Sequence, residues 1–273
     1  MPPDYATLTE AYRNTAEHND RLHREFTGFT WADPVLGPHR RHVLDQNLGF
    51  GDDAFHALWA VLLAEAVVRF GEVRLLEIGV FKGQVISLWS LLAREYRWRV
   101  QISALSPLTG QPLPSSRLVR WLRYRLDGRF RERAENGDFY EAGDYEPATR
   151  AHFAHPGLDF STVRLFRGYS TDPALLARLS GETFHLVYVD GDHTFAGARH
   201  DFTTFGPKVV PGGWLVADDA SCELPGTAFW KGHPAVSAAV HVLPGLGFTN
   251  VLNIGHNRVY ERTRTGYEDP ADV

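Results

Sequence analysis

The sequence has little of what disulfides, cysteine metal clusters and membrane spans require. Its 273 residues include a single cysteine, Cys222, which excludes an internal disulfide and a zinc site built from several cysteines. No apolar run approaches the ~18 residues of a membrane-spanning helix, and no basic region followed by an apolar one marks the N-terminus. These absences suit a reducing compartment, and we expect a soluble cytoplasmic protein that does not bind membranes.

Positive charge is also scarce. Lysine and arginine number 28 against 33 aspartate and glutamate residues, a net charge of −5. A broad basic surface is therefore not expected, and we predict no nucleic-acid partner. What the chain does have is 44% hydrophobic and 12% aromatic residues, enough for the core of one large domain. We expect a globular protein with a small-molecule substrate, and we expect it to form a homo-oligomer.

Residues 1–70 are predicted to form a helical extension. A mostly polar helical pattern covers 5–26, whereas 28–50 looks loop-like because it contains two prolines and three glycines. His39 and His42 in that stretch are predicted to be surface residues, since no helix or further ligand accompanies them. Apolar residues then recur at helical spacing from Phe55 to Phe70, which predicts an amphipathic helix packed on a large surface.

Residues 71–265 alternate between strand and helix patterns. Apolar runs without period-two alternation are typical of parallel strands buried on both faces, and their alternation with helices predicts a doubly wound α/β fold. The last two apolar segments are separated only by about His256 and Asn257. That connection must be a hairpin, so one terminal strand runs antiparallel. No chemical role is predicted for His256, and 266–273 is predicted to be a tail.

A long insertion is predicted between the second and third strands, over 109–160. Its segment 117–133 carries seven arginines interleaved with apolar residues. We predict one or two helices lying over the edge of the sheet or over the mouth of the site. Two interpretations stay open: a solvated face whose aliphatic stems cover apolar surface, or a surface that binds an anion or a partner.

The first strand ends where a ligand of an open parallel sheet would bind, outside the carboxyl end. Glu77, Gly79 and Gly83 form an E-x-G-x-x-x-G spacing there. Phe81 stands where a dinucleotide fingerprint has its second glycine, so a pyrophosphate is not the favoured ligand. The turn suits S-adenosylmethionine, which presents an amino group and a nucleoside, although both glycines also suit a purely structural strand-to-helix turn.

Three aspartates follow the fourth and fifth strands. Asp190 closes one strand, and Asp218 and Asp219 close the other, so adjacent parallel strands would bring them into one pocket. Carboxylates that close cannot all stay ionised unless a cation neutralises them. The set predicts an oxygen-liganded cation, Mg²⁺ in preference to Zn²⁺, with Mn²⁺ or Ca²⁺ as substitutes. The structural alternative is that these aspartates cap the segments that follow them.

The chain resembles the class I S-adenosylmethionine-dependent methyltransferases in LLEIGVFKG, VYVDGDHTFAGARHDF and VVPGGWLVADD. More narrowly, it resembles the metal-dependent sugar O-methyltransferases typified by macrocin O-methyltransferase and its aminocoumarin-pathway relatives. The resemblance implies a seven-stranded sheet with the last hairpin reversed, Mg²⁺ on the three aspartates, and methylation of a hydroxyl on a glycosylated or polyhydroxylated metabolite. It also implies that Asp192 or His193 takes the proton from that hydroxyl.

Two strand ends depart from the family pattern. An acidic residue normally ends the second strand and another follows the third, whereas this chain has Ser106 and then Tyr169 and Ser170. Serine can still hydrogen-bond a ribose, and tyrosine can stack on adenine. These residues are therefore predicted, together with the first-strand turn and Asp190, to contact the methyl donor.

The segment after the paired aspartates is placed to roof the substrate pocket. Trp230 would pack on a sugar or aromatic face, and Lys231 and His233 would contact a polar or anionic group; alternatively, Trp230 belongs to the core and Gly-His-Pro is a turn. Two other functions stay open. One is a methyltransferase fold kept as a binding or scaffold protein, and the other is metal-free methylation of an amine or carbon.

Overall fold

The computed structural model describes residues 3–263 and shows one seven-stranded sheet surrounded by helices. The tail predicted at 266–273 lies outside the described residues. The strands are β1 (Glu72–Ile78), β2 (Arg99–Ser106), β3 (Arg164–Arg167), β4 (Phe184–Val189), β5 (Val209–Ala217), β6 (Phe248–Ile254) and β7 (Asn257–Arg262). The helices are α1 (Tyr5–Ala11), α2 (Ala16–Ala32), α3 (Leu36–Asp45), α4 (Phe55–Phe70), α5 (Gln84–Glu95), α6 (Arg117–Leu126), α7 (Gly128–Asn136), α8 (Glu146–Ala154), α9 (Pro173–Arg178), α10 (Phe195–Phe205) and α11 (Pro234–Ala239).

The strand order is β3-β2-β1-β4-β5-β7-β6. The first five strands in this order pair in parallel, and β7 runs antiparallel to both β5 and β6. The prediction of a doubly wound, mostly parallel sheet with a reversed terminal hairpin is confirmed. Chain order reverses between β1 and β4, which is where such sheets bind ligands.

Both faces of the central strands are buried. Leu75 packs in the hydrophobic cluster that contains α4 and α5, whereas its neighbour Leu76 packs in the cluster that contains α10. Successive strand residues point to opposite faces, so continuous apolar runs are needed where helices cover both. Within residues 3–263, no helix combines the length and the apolar composition that crossing a membrane requires.

The prediction that 28–50 forms a loop is wrong, because α2 continues to Ala32 and α3 follows it. The prolines that suggested a loop lie at helix boundaries. Pro34 separates the two helices, and Pro38 stands in the first turn of α3, where its missing N–H removes no helical hydrogen bond. The Asp33 carboxylate accepts the N–H groups of Val35 and Leu36 and so starts α3.

A buried polar network joins the N-terminal helices to the core and the insertion. His39 on α3 contacts His56 on α4 (Nδ1 to Nε2, 2.9 Å) and the hydroxyl of Ser87 on α5 (Nε2 to Oγ, 2.7 Å). The same hydroxyl lies 2.6 Å from Nε2 of His152 on α8. The prediction that His39 is a surface residue is therefore wrong, because α3 turns it inward, while His42 is only partly buried.

We expect these histidines to make the fold less stable in mild acid. Burial lowers the pKa of His152 to about 3 and holds the pKa of His39 and His56 well below the usual range. The unfolded chain binds protons on these rings near pH ~6.5, whereas the folded chain cannot. Their stabilising contribution is thus complete above that pH and falls as the pH drops below it, by about 2 kcal/mol per ring between about pH 7 and pH 5.

Urea unfolding of wild type and His152→Gln at those two pH values measures this contribution. The loss of unfolding free energy between them should be smaller in His152→Gln by about 2 kcal/mol. His241→Gln is the matched control because His241 is exposed on the surface, and it should behave like wild type. A loss in His152→Gln equal to that of wild type would contradict the expectation.

Candidate active site

A cavity of about 900 Å³ opens at the carboxyl ends of the central strands, and most of the predicted site residues line it. Residues of helices α6 and α7 of the insertion also line it. The predicted residues along the wall are Glu77, Gly79, Ser106, Tyr169, Ser170, Asp190, Asp192, His193, Asp218, Asp219, Trp230 and His233. Trp230 is 55% exposed, so it belongs to the cavity and not to the core.

Two of the predicted site residues, Gly83 and Lys231, do not line the cavity. Gly83 is the N-cap of α5 with φ +91°, and a side chain there would lie 2.7 Å from Thr149, so its role is to shape the turn. Lys231 donates its ammonium group to the carbonyl of Leu224 in its own loop and lies over the ring of Phe229. This position gives no support to the prediction that Lys231 contacts the substrate.

Strand register brings the three aspartates together. Val189 of β4 pairs with Ala217 of β5, so Asp190 and Asp218 leave the sheet at the same level. Asp219 follows with φ +53°, in the left-handed region that aspartate tolerates better than most residues. Strained backbone of this kind is concentrated at functional sites.

Gly79 allows the chain after β1 to pass directly beside the chain after β4. Its φ is +90°, and a Cβ atom at this position would lie 1.7 Å from the carbonyl oxygen of Asp190. No side chain fits without displacing the backbone that carries Asp190. Gly79 thus connects the predicted donor turn to the predicted metal site.

His193 is held in the cavity by the insertion. Its Nδ1 lies 2.7 Å from Oδ1 of Asp138, and Asn136 donates to its backbone carbonyl at 2.9 Å. Its Nε2 lies 3.4 Å from carboxylate oxygens of both Asp190 and Asp219. Asp138 was not predictable as a site residue, because its only local signal is its position after Asn136-Gly137.

Asp192 has a partner on each carboxylate oxygen. Oδ2 lies 2.5 Å from a guanidinium nitrogen of Arg129 on α7, and Oδ1 accepts the N–H of Thr194 at the start of α10. Burial is the largest influence on the pKa of Asp192 and would raise it, but the hydrogen bonds from Arg129 and Thr194 and the charge of Arg129 together lower that pKa. With both oxygens occupied and its pKa lowered, Asp192 is poorly suited to accept a proton.

His256 is a site residue that the sequence analysis missed. Its Nε2 lies 3.2 Å from Asp218, and its Nδ1 lies 3.4 Å from Asp52. It occupies the turn between β6 and β7. Because β7 runs antiparallel beside β5, this turn returns to the carboxyl end of β5, where the paired aspartates lie.

Crowding shifts the pKa values of the charged groups. Burial and the charge of Asp218 raise the pKa of Asp190 well above its usual range and that of Asp219 to about 7. Burial also opposes ionisation of Asp218, but the charge and hydrogen bond of His256 together with the charge of His193 outweigh it and lower that pKa. For His193 and His256, neighbouring carboxylates outweigh burial and raise the pKa well above the usual range. The aspartates cannot all ionise without positive charge beside them.

The residues present fit a divalent cation. Ligand atoms lie within 4.8 Å of one another in Asp190, His193 and Asp219, and also in Asp218, Asp219 and His256. The buried Oδ1 of Asp218 has no hydrogen-bond partner among residues 3–263, although His256 lies nearby. Carboxylate oxygens suit a hard cation such as Mg²⁺, and the adjoining imidazoles would also suit Mn²⁺.

Comparison with solved structures shows the fold. The O-methyltransferase NovP is 18% identical with a TM-score of 0.56, over 91% of this chain and 99% of that one. CalS11, a calicheamicin methyltransferase, is 18% identical with a TM-score of 0.50, over 96% and 98% of the two chains. A protein of Corynebacterium glutamicum is 14% identical with a TM-score of 0.52, over 91% and 99%.

Comparison with family models identifies the chain. No protein of curated function matches the sequence. A family model described as a methyltransferase domain matches residues 76–220, more than half of the chain. The match runs from β1 to the residue after Asp219, so it includes the glycine turn after β1 and the three aspartates. The chain therefore belongs to the methyltransferase-domain family, and the prediction of a class I methyltransferase is confirmed.

Proposed function

We propose that the protein transfers a methyl group from S-adenosylmethionine to a hydroxyl of a small glycosylated or polyhydroxylated metabolite, with Mg²⁺ as cofactor. The observation that carries the proposal is the meeting of three strand-end aspartates and the glycine turn after β1 in one cavity. The similarity in fold to proteins named O-methyltransferase NovP and calicheamicin methyltransferase supports this reaction class.

The donor end of the cavity is formed by the ends of β1, β2 and β3. Oε2 of Glu77 is buried without a hydrogen-bond partner in the described part of the chain, and burial raises the pKa of this carboxyl well above its usual range. The amino group of the donor would supply the missing hydrogen bond and charge. Ser106 and Tyr169 also line the cavity and would contact the ribose and the adenine, where the family usually has acidic residues.

The chain's own groups position the acceptor and receive its proton. Mg²⁺ held by Asp190, Asp218 and Asp219 would supply Lewis-acid chemistry that makes a hydroxyl easier to deprotonate. His193 would accept that proton at Nε2 once the cation neutralises the carboxylates that raise the pKa of this ring, while Asp138 holds Nδ1. Asp192 is the alternative base, but its carboxylate would first have to separate from Arg129.

Aromatic rings line the same cavity as the aspartates. The ring of Phe81 lies 5.1 Å from Phe50 and 5.4 Å from Tyr140, and Trp230 also lines the cavity. Such surfaces can pack on the apolar face of a sugar or on an aromatic aglycone. They support an acceptor larger than a simple alcohol.

Calorimetric titration with S-adenosylmethionine and its demethylated product, with and without Mg²⁺, tests the proposal. We expect both nucleosides to bind, and we expect turnover on polyhydroxylated acceptors to disappear when EDTA removes the cation. Absence of binding by either nucleoside would overturn the proposal. Turnover that survives EDTA would instead favour metal-free methylation of an amine or carbon.

A further inference from the structure

We propose that the acceptor carries an oxyanion group, a phosphate or a carboxylate, which arginines of α6 and α7 bind at the mouth of the cavity. The hydroxyl to be methylated would then lie at the aspartates. This inference rests on the proposed function, because it describes the acceptor of that reaction. It resolves the two interpretations of the arginine-rich insertion in favour of anion binding for three of its arginines.

Charge is distributed very unevenly between the insertion and the rest of the chain. Residues 117–136 contain seven arginines and only three acidic residues, although the whole chain carries a net charge of −5. Helix α6 has no buried residue, so its arginines are not required to cover a core. Packing against a hydrophobic core therefore does not explain why this segment carries so many arginines.

Only Arg123, Arg129 and Arg133 of these seven arginines line the cavity. The side chains of Arg123 and Arg129 are about half exposed, whereas Asp218 and Asp219, which line the same cavity, are buried. The cavity thus combines buried acidic groups with exposed basic groups. An acceptor with a hydroxyl at one end and an oxyanion at the other matches this distribution of charge.

Two of the three guanidinium groups are held in place by aromatic rings. Arg133 lies 4.8 Å over the ring of Phe139, and Arg123 lies 4.4 Å over the ring of Phe130. The two rings contact each other with centroids 5.2 Å apart. Stacking fixes the plane of a guanidinium group and leaves its N–H donors free for the planar, bidentate recognition of a carboxylate or phosphate.

Arg133 is the strongest candidate of the three. It donates to the backbone carbonyl of Asp138 at 2.7 Å, and no carboxylate within residues 3–263 lies within 4.0 Å of it. Its position is therefore fixed while its charge is not neutralised by an ion pair. That combination is what a preorganised anion site requires.

The other two arginines have carboxylate partners that leave donors available. Arg123 pairs with Asp127 one turn away at 3.2 Å, and both side chains are exposed, so this ion pair contributes little. Arg129 uses one nitrogen to reach Asp192, and a guanidinium group has five N–H donors. An oxyanion between Arg129 and Arg133 would therefore add contacts without removing the one to Asp192.

Direct binding of small anions tests the inference without an acceptor in hand. Inorganic pyrophosphate and succinate are titrated separately into the full chain by calorimetry at low salt, with EDTA present so that no cation bridges them. We expect saturable binding of at least one of them. Arg133→Gln should weaken that binding about tenfold or more, because a charge-assisted hydrogen bond is lost, and Arg123→Gln should also weaken it.

Matched controls separate the site from general charge. Arg120→Gln removes the same charge from α6 outside the cavity and should bind like wild type; a loss equal to that of Arg133→Gln would overturn the inference. Arg133→Lys keeps the charge without the planar group, so its affinity for the anion should lie between those of wild type and Arg133→Gln. Thermal unfolding of each variant checks that it is folded.

The demethylated donor is titrated into the same samples. If it binds but neither anion does, the inference is overturned and the proposed function stands. If it does not bind, the proposed function fails and the inference fails with it. Arginine-dependent binding of pyrophosphate alone supports a phosphorylated acceptor, and that of succinate alone supports a carboxylated one.

Discussion

Replacing Asp218 with asparagine is expected to lower turnover by about a hundredfold or more while leaving affinity for the methyl donor unchanged. Asparagine keeps the shape of the side chain but removes a charge that the cation needs, and metal catalysis of this kind contributes several kcal/mol to the reaction. Asp218 is the member of the set whose pKa is lowered, so it is the carboxylate that carries the negative charge most firmly. Steady-state assays and Mg²⁺ titration of wild type and variant measure the effect.

Asp144→Asn is the control for this substitution, because Asp144 is an exposed carboxylate outside the cavity. It should retain the turnover and Mg²⁺ affinity of wild type. If Asp218→Asn were as active as wild type at limiting Mg²⁺, the strand-end aspartates would not form the metal site, and the alternative in which they only cap following segments would be favoured.

His193→Ala should also reduce turnover by about a hundredfold or more, the usual contribution of a general base. The structure favours His193 over Asp192 because Asp138 orients its ring, whereas Arg129 and the start of α10 occupy both oxygens of Asp192. Asp192→Asn should therefore cost less than about tenfold. Single-turnover rates with donor and cation saturating compare the two variants.

Mg²⁺ affinity distinguishes a base from a residue that only supports the site, because loss of a base slows the reaction without weakening Mg²⁺ binding. Both variants should bind Mg²⁺ and the demethylated donor as wild type does, so that only the chemical step changes. The opposite ranking, with Asp192→Asn the slower variant, would assign the base to Asp192. Wild-type rates in both would show that neither residue takes the proton.

The sequence was sufficient to predict the elements whose pattern is local. Helix α4 begins and ends at the predicted residues, Phe55 and Phe70, and the hairpin followed from a connection too short for a helix. Asp190 and Asp218 could be brought together because parallel neighbours end at the same edge of a sheet. These predictions needed only the direction of each strand.

Contacts between distant segments were not predictable in the same way. Asp138 reaches His193 across 55 residues, through a turn whose position depends on how α7 packs. His256 was predictable in part, since the hairpin had been recognised and its turn must return to the carboxyl edge. The orientation of Lys231 was not predictable because sequence does not show which way a loop side chain points, and this one donates to a carbonyl of its own loop.

The most direct test of the account is a crystal structure with the demethylated donor and Mn²⁺, with the ion located by its anomalous scattering. We predict a single peak bound by Asp190, Asp218 and Asp219, beside a nucleoside that contacts the turn at Gly79. A peak on Asp138, His193 and His233, which also lie close enough to share an ion, would contradict the account. So would a donor-bound site that holds no Mn²⁺ at saturating concentration.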